Sequence, residues 1–139
     1  MGRSFEEKSV WIQLVCMILG LGTYFIFAGN MISNGVRDMP AFAALFMVAT
    51  ALMVILLVAG IIVAAVASKP EGRDERDRLI AWRSEHNSSW VMAVGVFGAV
   101  TCMVLGIDNV WTANLLLLSL GLSEVLGFVL RLVYYRRGV

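Results

Sequence analysis

From Ala41 to Ala67 the chain carries no Asp, Glu, Lys or Arg. As a helix rising about 1.5 Å per residue, that run is longer than the roughly 30 Å needed to cross the hydrocarbon core of a bilayer. Lipid offers no hydrogen bonds, so a spanning segment satisfies its backbone internally, as a helix, or in a closed barrel. The run lacks the strict apolar and polar alternation of a barrel strand and reads as a transmembrane helix, tilted to accommodate its excess length. Lys69-Pro70 ends it. A water-soluble domain is excluded, because 60% of the residues are hydrophobic against roughly 45–50% in soluble domains.

Three further apolar runs follow the same logic: Val10 to about Gly29, about Trp90 to Ile107, and about Ala113 to Tyr135. Asn34-Gly35 signals a turn after the first, and Pro40 is placed to open the second. Asp108, Asn109 and Thr112 form a short polar link between the last two. The expected fold is all-α and polytopic. Residues 1–139 make a single transmembrane domain of four helices, about 10–29, 41–67, 90–107 and 113–135, arranged as two helical hairpins. Residues 68–89 form a cytoplasmic segment that extends the third helix. The first run is too long for the apolar core of a secretory leader, about 7–15 residues, and reads as a retained anchor.

Lys and Arg set the orientation. Arg3, Lys8, Lys69, Arg73, Arg76, Arg78, Arg83, Arg131, Arg136 and Arg137 all fall on one side of a four-span chain, and Arg37 alone falls on the other. The basic side is expected to be cytoplasmic, with both termini there. Tyr134, Tyr135, Trp90 and Trp111 fit the aromatic belts at bilayer interfaces. The net charge of +1 leaves no basic excess for binding nucleic acid.

The central segment, Glu71 to Ser89, is dense in charge of both signs. Arg73 and Asp77, and Asp74 and Arg78, stand at i,i+4. Leu79, Trp82, His86 and Trp90 recur at helical spacing and form one stripe. Arg73, Asp74, Glu75, Arg76, Asp77, Arg78, Leu79, Trp82 and His86 are therefore a candidate interaction surface for a cytoplasmic protein partner. The simpler alternative is a stripe lying at the membrane interface or against a second copy. The motif Glu71-Gly72-Arg73-Asp74-Glu75-Arg76-Asp77-Arg78-Leu79-Ile80, set between the second and third spans of a short chain ending Val133-Tyr134-Tyr135-Arg136-Arg137, resembles a family of small bacterial four-span inner-membrane proteins of unknown function. The resemblance implies a bacterial inner membrane and carries over no site residues.

Within the spans, Glu124 stands out. A charged side chain at the bilayer centre costs at least about 2.5–3.5 kcal/mol, so it is neutralised, paired or turned to water. Gly121 and Gly127 allow close approach of a neighbouring helix, and Arg131 lies two turns toward the basic side. Glu124 with Arg131 is a candidate protonation or coupling site. The structural alternative is a carboxyl bonded to Thr101, Ser123 or a backbone carbonyl. Ser119, Ser123 and Gly127, like Gly60, Ala64 and Ser68, form small-residue stripes suited to helix packing. Cys16 and Cys102 lie in separate runs and His86 lies outside them, so no metal or other cofactor is expected. No nucleophile elbow, phosphate loop or carboxylate pair points to an enzyme. Four spans enclose little beyond their own packing, which favours a homo-oligomer. Two functions remain: a non-enzymatic accessory, regulatory or interaction component, or a homo-oligomeric small transporter or channel that uses Glu124 for proton or cation coupling.

Overall fold

The computed structural model describes residues 5–69, 72 and 74–137. They form four helices: α1 Phe5–Ser33, α2 Met39–Ala67, α3 Glu75–Val104 and α4 Asn109–Arg137. All four are long and apolar enough to cross a membrane. The chain is an all-α, polytopic membrane protein.

The two far-end turns share one device. Gly35 and Gly106 adopt positive φ, 79° and 69°, a conformation that glycine enters without the steric penalty of a Cβ. After Gly35, the Val36 N–H reaches the Met31 carbonyl, and after Gly106, the Ile107 N–H reaches the Cys102 carbonyl. This is the hydrogen-bond pattern that closes helices on a left-handed residue. It stops α3 at Val104, three residues short of the Ile107 expected from hydropathy, because a left-handed residue cannot continue the helix. Asp38 stands at the N-cap position of α2 without a side-chain capping bond, and Pro40 lies in the first turn as expected. α3 begins at Asp74 with a capping box: the Asp74 carboxylate accepts from the Glu75 N–H at 2.7 Å, and the Asp77 carboxylate accepts from the Asp74 N–H at 3.2 Å.

The helices stand in the order α2, α1, α4, α3. α3 packs along the whole of α4, α1 packs on α2, and α1 against α4 joins the two hairpins, while α2 only grazes α4. The α3–α4 seam is built from small residues. Ser84, Ser88, Gly95 and Ala99 of α3 are buried against a face of α4 that includes Ser119, Ser123 and Gly127. A Cβ on Gly95 would lie 1.9 Å from Ser119 Oγ, and the Ser123 hydroxyl donates to the Ser88 carbonyl at 3.0 Å. Gly60, Ala64 and Ser68 do the same work between α2 and α1: a Cβ on Gly60 would meet Ile12 Cγ2 at 2.7 Å, and the Lys8 ammonium donates to the Ser68 hydroxyl.

Two apolar clusters tie α1 to its neighbours. Val10, Leu14 and Leu132 close the basic end, and Tyr24, Ala28, Phe42 and Val110 close the far end. These contacts also fix relative heights. Arg131, bonded to α3, is the neighbour of Leu132, which packs on Val10 and Leu14, and Ile12 between them meets Gly60 of α2. α2 runs on, wholly apolar, from Gly60 to Ala67, about 10 Å at the helical rise. The polar half of α3 therefore lies beside apolar helix. From Glu75 on it is a continuous part of the third helix, whereas residues 68, 69, 72 and 74 of the expected extension precede the helix; its length is spent against α4.

Candidate functional site

Between the two apolar clusters the bundle is not filled. Gly20 of α1 and Gly121 of α4 line this space and are met closely by Met53 and Leu21, and α2 touches α4 only slightly. The result is a cavity of about 300 Å³ bounded by α1, α2 and α4. Its walls are almost entirely apolar: Met17 and Leu21 from α1, Ala49 and Met53 from α2, Leu117 and Leu120 from α4. Tyr24 and Phe46, edge to face with centroids 6.0 Å apart, close it toward the far end. Glu124 lines it from α4.

The faces of α4 explain why Glu124 is left there. One face, through Ser119, Ser123 and Gly127, is taken by α3, and a second, through Gly121 and Leu132, is taken by α1. Glu124 falls between these faces and is exposed. Among the described residues its carboxylate meets no hydrogen-bond donor and no cation. The partners expected from sequence are engaged elsewhere: Thr101 donates to the Phe97 carbonyl at 2.8 Å and Ser123 to Ser88. Gly121 and Gly127 do not flank the carboxyl with one neighbour. Gly121 admits Leu21 of α1, and Gly127 admits Ser88 of α3.

Thr50 is the only hydroxyl-bearing residue of α2, and it faces the same cavity. Among the described residues that hydroxyl makes no hydrogen bond. The Tyr24 hydroxyl is occupied, donating to Asn114 Oδ1 at 3.0 Å. The cavity thus carries one carboxylate and one hydroxyl, both without protein partners among the described residues, in an apolar setting near the middle of three spans.

Arg131 is not brought to Glu124. It turns to α3, where its guanidinium pairs with the Glu85 carboxylate and donates to Ser84 Oγ at 3.2 Å. Arg131 is 16% exposed and Glu85 68%, so a mostly covered cation is neutralised by an acid that reaches outward. Nearby, the Tyr135 hydroxyl donates to Asp77 Oδ1 at 2.8 Å, Asn87 donates to the Tyr134 hydroxyl at 2.8 Å, and Arg83 lies over the Tyr134 ring at 5.9 Å. Asp77 therefore serves both the helix cap and the α3–α4 seam.

The candidate interaction surface is divided by this seam. Asp74, Glu75, Arg76 and Arg78 are exposed at the tip of α3, and Arg73 lies outside the described residues. Leu79, Trp82 and His86 form the expected stripe on the outer face, with the Trp82 and His86 rings stacked at 5.8 Å. Their height, beside Arg131 to Tyr135 of α4, places the stripe along the bundle wall. Cys16 is buried in α1 and Cys102 half-buried in α3.

Glu124 is legible in the sequence, and its surroundings are not. Thr50, a lone hydroxyl in an uncharged run, is the available signal for α2, and Gly20 is the signal for α1. The Arg37–Asp108 pair at the far end, 3.8 Å, carries no signal in the sequence either. No family model, no curated protein and no solved structure matches this chain.

Proposed function

We propose that the chain is a non-enzymatic transport protein of a bacterial inner membrane, with both termini cytoplasmic, working as a homo-oligomer in which Glu124 carries a proton or cation. One observation supports this above the others. A carboxylate without a protein partner among the described residues lines an apolar cavity at mid-span, where an unpaired charge is expensive and intramembrane acids mark ion and substrate paths. A purely structural Glu would spend its oxygens on a neighbouring helix, and this one does not. Oligomerisation is favoured because α1, α2 and α4 bound the cavity on only part of its perimeter. The bacterial membrane rests on the resemblance of the Glu71–Ile80 motif, and the orientation on the clustering of Lys and Arg. In proteoliposomes, Glu124-dependent proton or cation flux is expected. Equal flux through wild type and Glu124→Gln overturns the proposal.

The interaction reading keeps its own support at the basic end. Asp74, Glu75, Arg76 and Arg78 stand exposed at the tip of α3. On this reading the tip of α3 docks a cytoplasmic partner, and replacement of Glu75, Arg76 and Arg78 abolishes co-purification of that partner from mild detergent.

A further inference from the structure

We propose that the cavity beside Glu124 binds a lipophilic monocation, an organic amine or quaternary ammonium with an apolar body, taken up sideways from the bilayer through the gap between α2 and α4. The inference rests on the reading of Glu124 as a charge-carrying centre and names the ligand class of that centre.

Four observations narrow the ligand. The volume, about 300 Å³, is far more than a proton needs and suits a small organic molecule. The lining is apolar apart from Glu124 and Thr50, with the Tyr24 and Phe46 rings at one end. Hard inorganic cations require about six or more oxygen ligands, and the cavity offers one carboxylate and one hydroxyl. An organic cation needs only a counter-charge, apolar surface and, where present, an aromatic face. An anion is repelled by Glu124, and a neutral guest leaves its carboxylate unpaired in an apolar site. A single acid sets the charge of the guest at one.

Access follows from the helix arrangement. Glu124 is exposed on the bundle surface, and α2 meets α4 only slightly, so the opening faces the membrane. Molecules that partition into lipid reach it without crossing the bundle. Proton and guest compete for the same carboxylate. The only other titratable side chain lining the cavity is Tyr24, whose hydroxyl is held by Asn114.

The test uses the full chain in nanodiscs with two probes, trimethyl(4-phenylbutyl)ammonium and its neutral analogue with carbon in place of nitrogen. Saturable binding of the charged probe is expected, with Glu124→Gln weakening it by at least about tenfold, and with the neutral probe unable to distinguish the two proteins. Thr50→Leu, which fills the cavity from a lipid-facing helix, is expected to weaken both probes. Equal binding of the charged probe by wild type and Glu124→Gln overturns the proposal. So does equal binding of the two probes by wild type, which makes the cavity a niche for acyl chains. Proton flux in the same protein separates this from the transport reading. Glu124-dependent flux without probe binding overturns the ligand class alone, and probe binding without flux supports the ligand class and overturns transport.

Discussion

α2 and α3 are nearly equal in length, 29 and 30 residues, and stand at the two edges of the bundle, yet they are held in place by opposite means. α2 is free of charge from end to end, with Thr50 its one hydroxyl, and, apart from Phe42 and Ala64, faces outward or half-outward. Lipid solvates it as well as protein does, so the hydrophobic effect gives it little reason to pack. α3 is polar through its first half and buries Ile80, Ser84, Ser88, Gly95 and Ala99 in a close seam with α4. Its polar groups have found partners on α4: Asp77 with Tyr135, Ser84 and Glu85 with Arg131, Asn87 with Tyr134. The polar helix is held by side-chain bonds to α4, and the apolar one by close packing on α1. The cavity at Glu124 lies where α2, packed on α1, barely reaches α4.

The largest effect is expected at Gly95. Leu there places a branched side chain where even a Cβ lies 1.9 Å from Ser119 Oγ and 3.5 Å from the Ser119 Cα. Overpacking of this kind costs about 1–3 kcal/mol or more. Gly95→Leu is expected to lower thermal stability in detergent more than any substitution at Arg131, Asp77 or Tyr135 and to separate the hairpin formed by α3 and α4. Gly22→Leu on the open face of α1, with nothing within 4 Å of its Cβ, is the control and should leave stability near wild type.

The next effect belongs to Arg131. Arg131→Ala removes the cation and leaves Glu85 without its partner, while Ser84 keeps its hydrogen bond to the Ala81 carbonyl. Because Glu85 is largely exposed, the loss is set below that of a buried pair, at about 1–2 kcal/mol. Glu85→Ala and the double Ala variant complete the cycle, and a coupling of up to about 1 kcal/mol is expected for a pair whose acid is largely exposed. Additive losses in the double-mutant cycle would mean that the two residues do not act together.

Asp77→Ala removes one half of the capping box and the acceptor for Tyr135 together. Each is worth about 1 kcal/mol when exposed or partly exposed. Tyr135→Phe removes only the second, so the difference between the two variants in chemical denaturation isolates the cap.

Sequence carries the helices further than it carries the site. Charge-free runs specify spans because lipid penalises charge wherever it sits, so Ala41 to Ala67 is readable without knowing its neighbours. The turn at Asn34-Gly35 is legible from its dipeptide, whereas Gly106, preceded by Leu105, carries no such signal. Glu124 is legible as an anomaly of depth. Its surroundings depend on which faces of α4 are taken by α1 and α3, and that follows from small residues meeting across helices, Gly121 with Leu21 and Gly127 with Ser88. Spacing along one helix does not specify the register of another. For the same reason spacing groups Arg131 with Glu124, two turns away along the same helix, when its partner is Glu85 on α3.

The smallest effects are expected on α2, and they discriminate most between a lone bundle and an assembly. Val63 and Val66 are 68% and 85% exposed on the part of α2 nearest the basic end. If lipid alone covers them, Val63→Ala and Val66→Ala exchange one apolar surface for a smaller one and change stability by less than about 0.5 kcal/mol. If a second copy packs there, the same truncations remove interhelical contacts that lipid does not replace in kind, and the oligomer dissociates at lower detergent dilution while the isolated chain keeps its melting temperature. Size-exclusion chromatography with light scattering across a dilution series reads the difference directly. An unchanged distribution for both variants leaves α2 as a lipid-facing edge, and any oligomer then has to close over Glu124 from the α4 side.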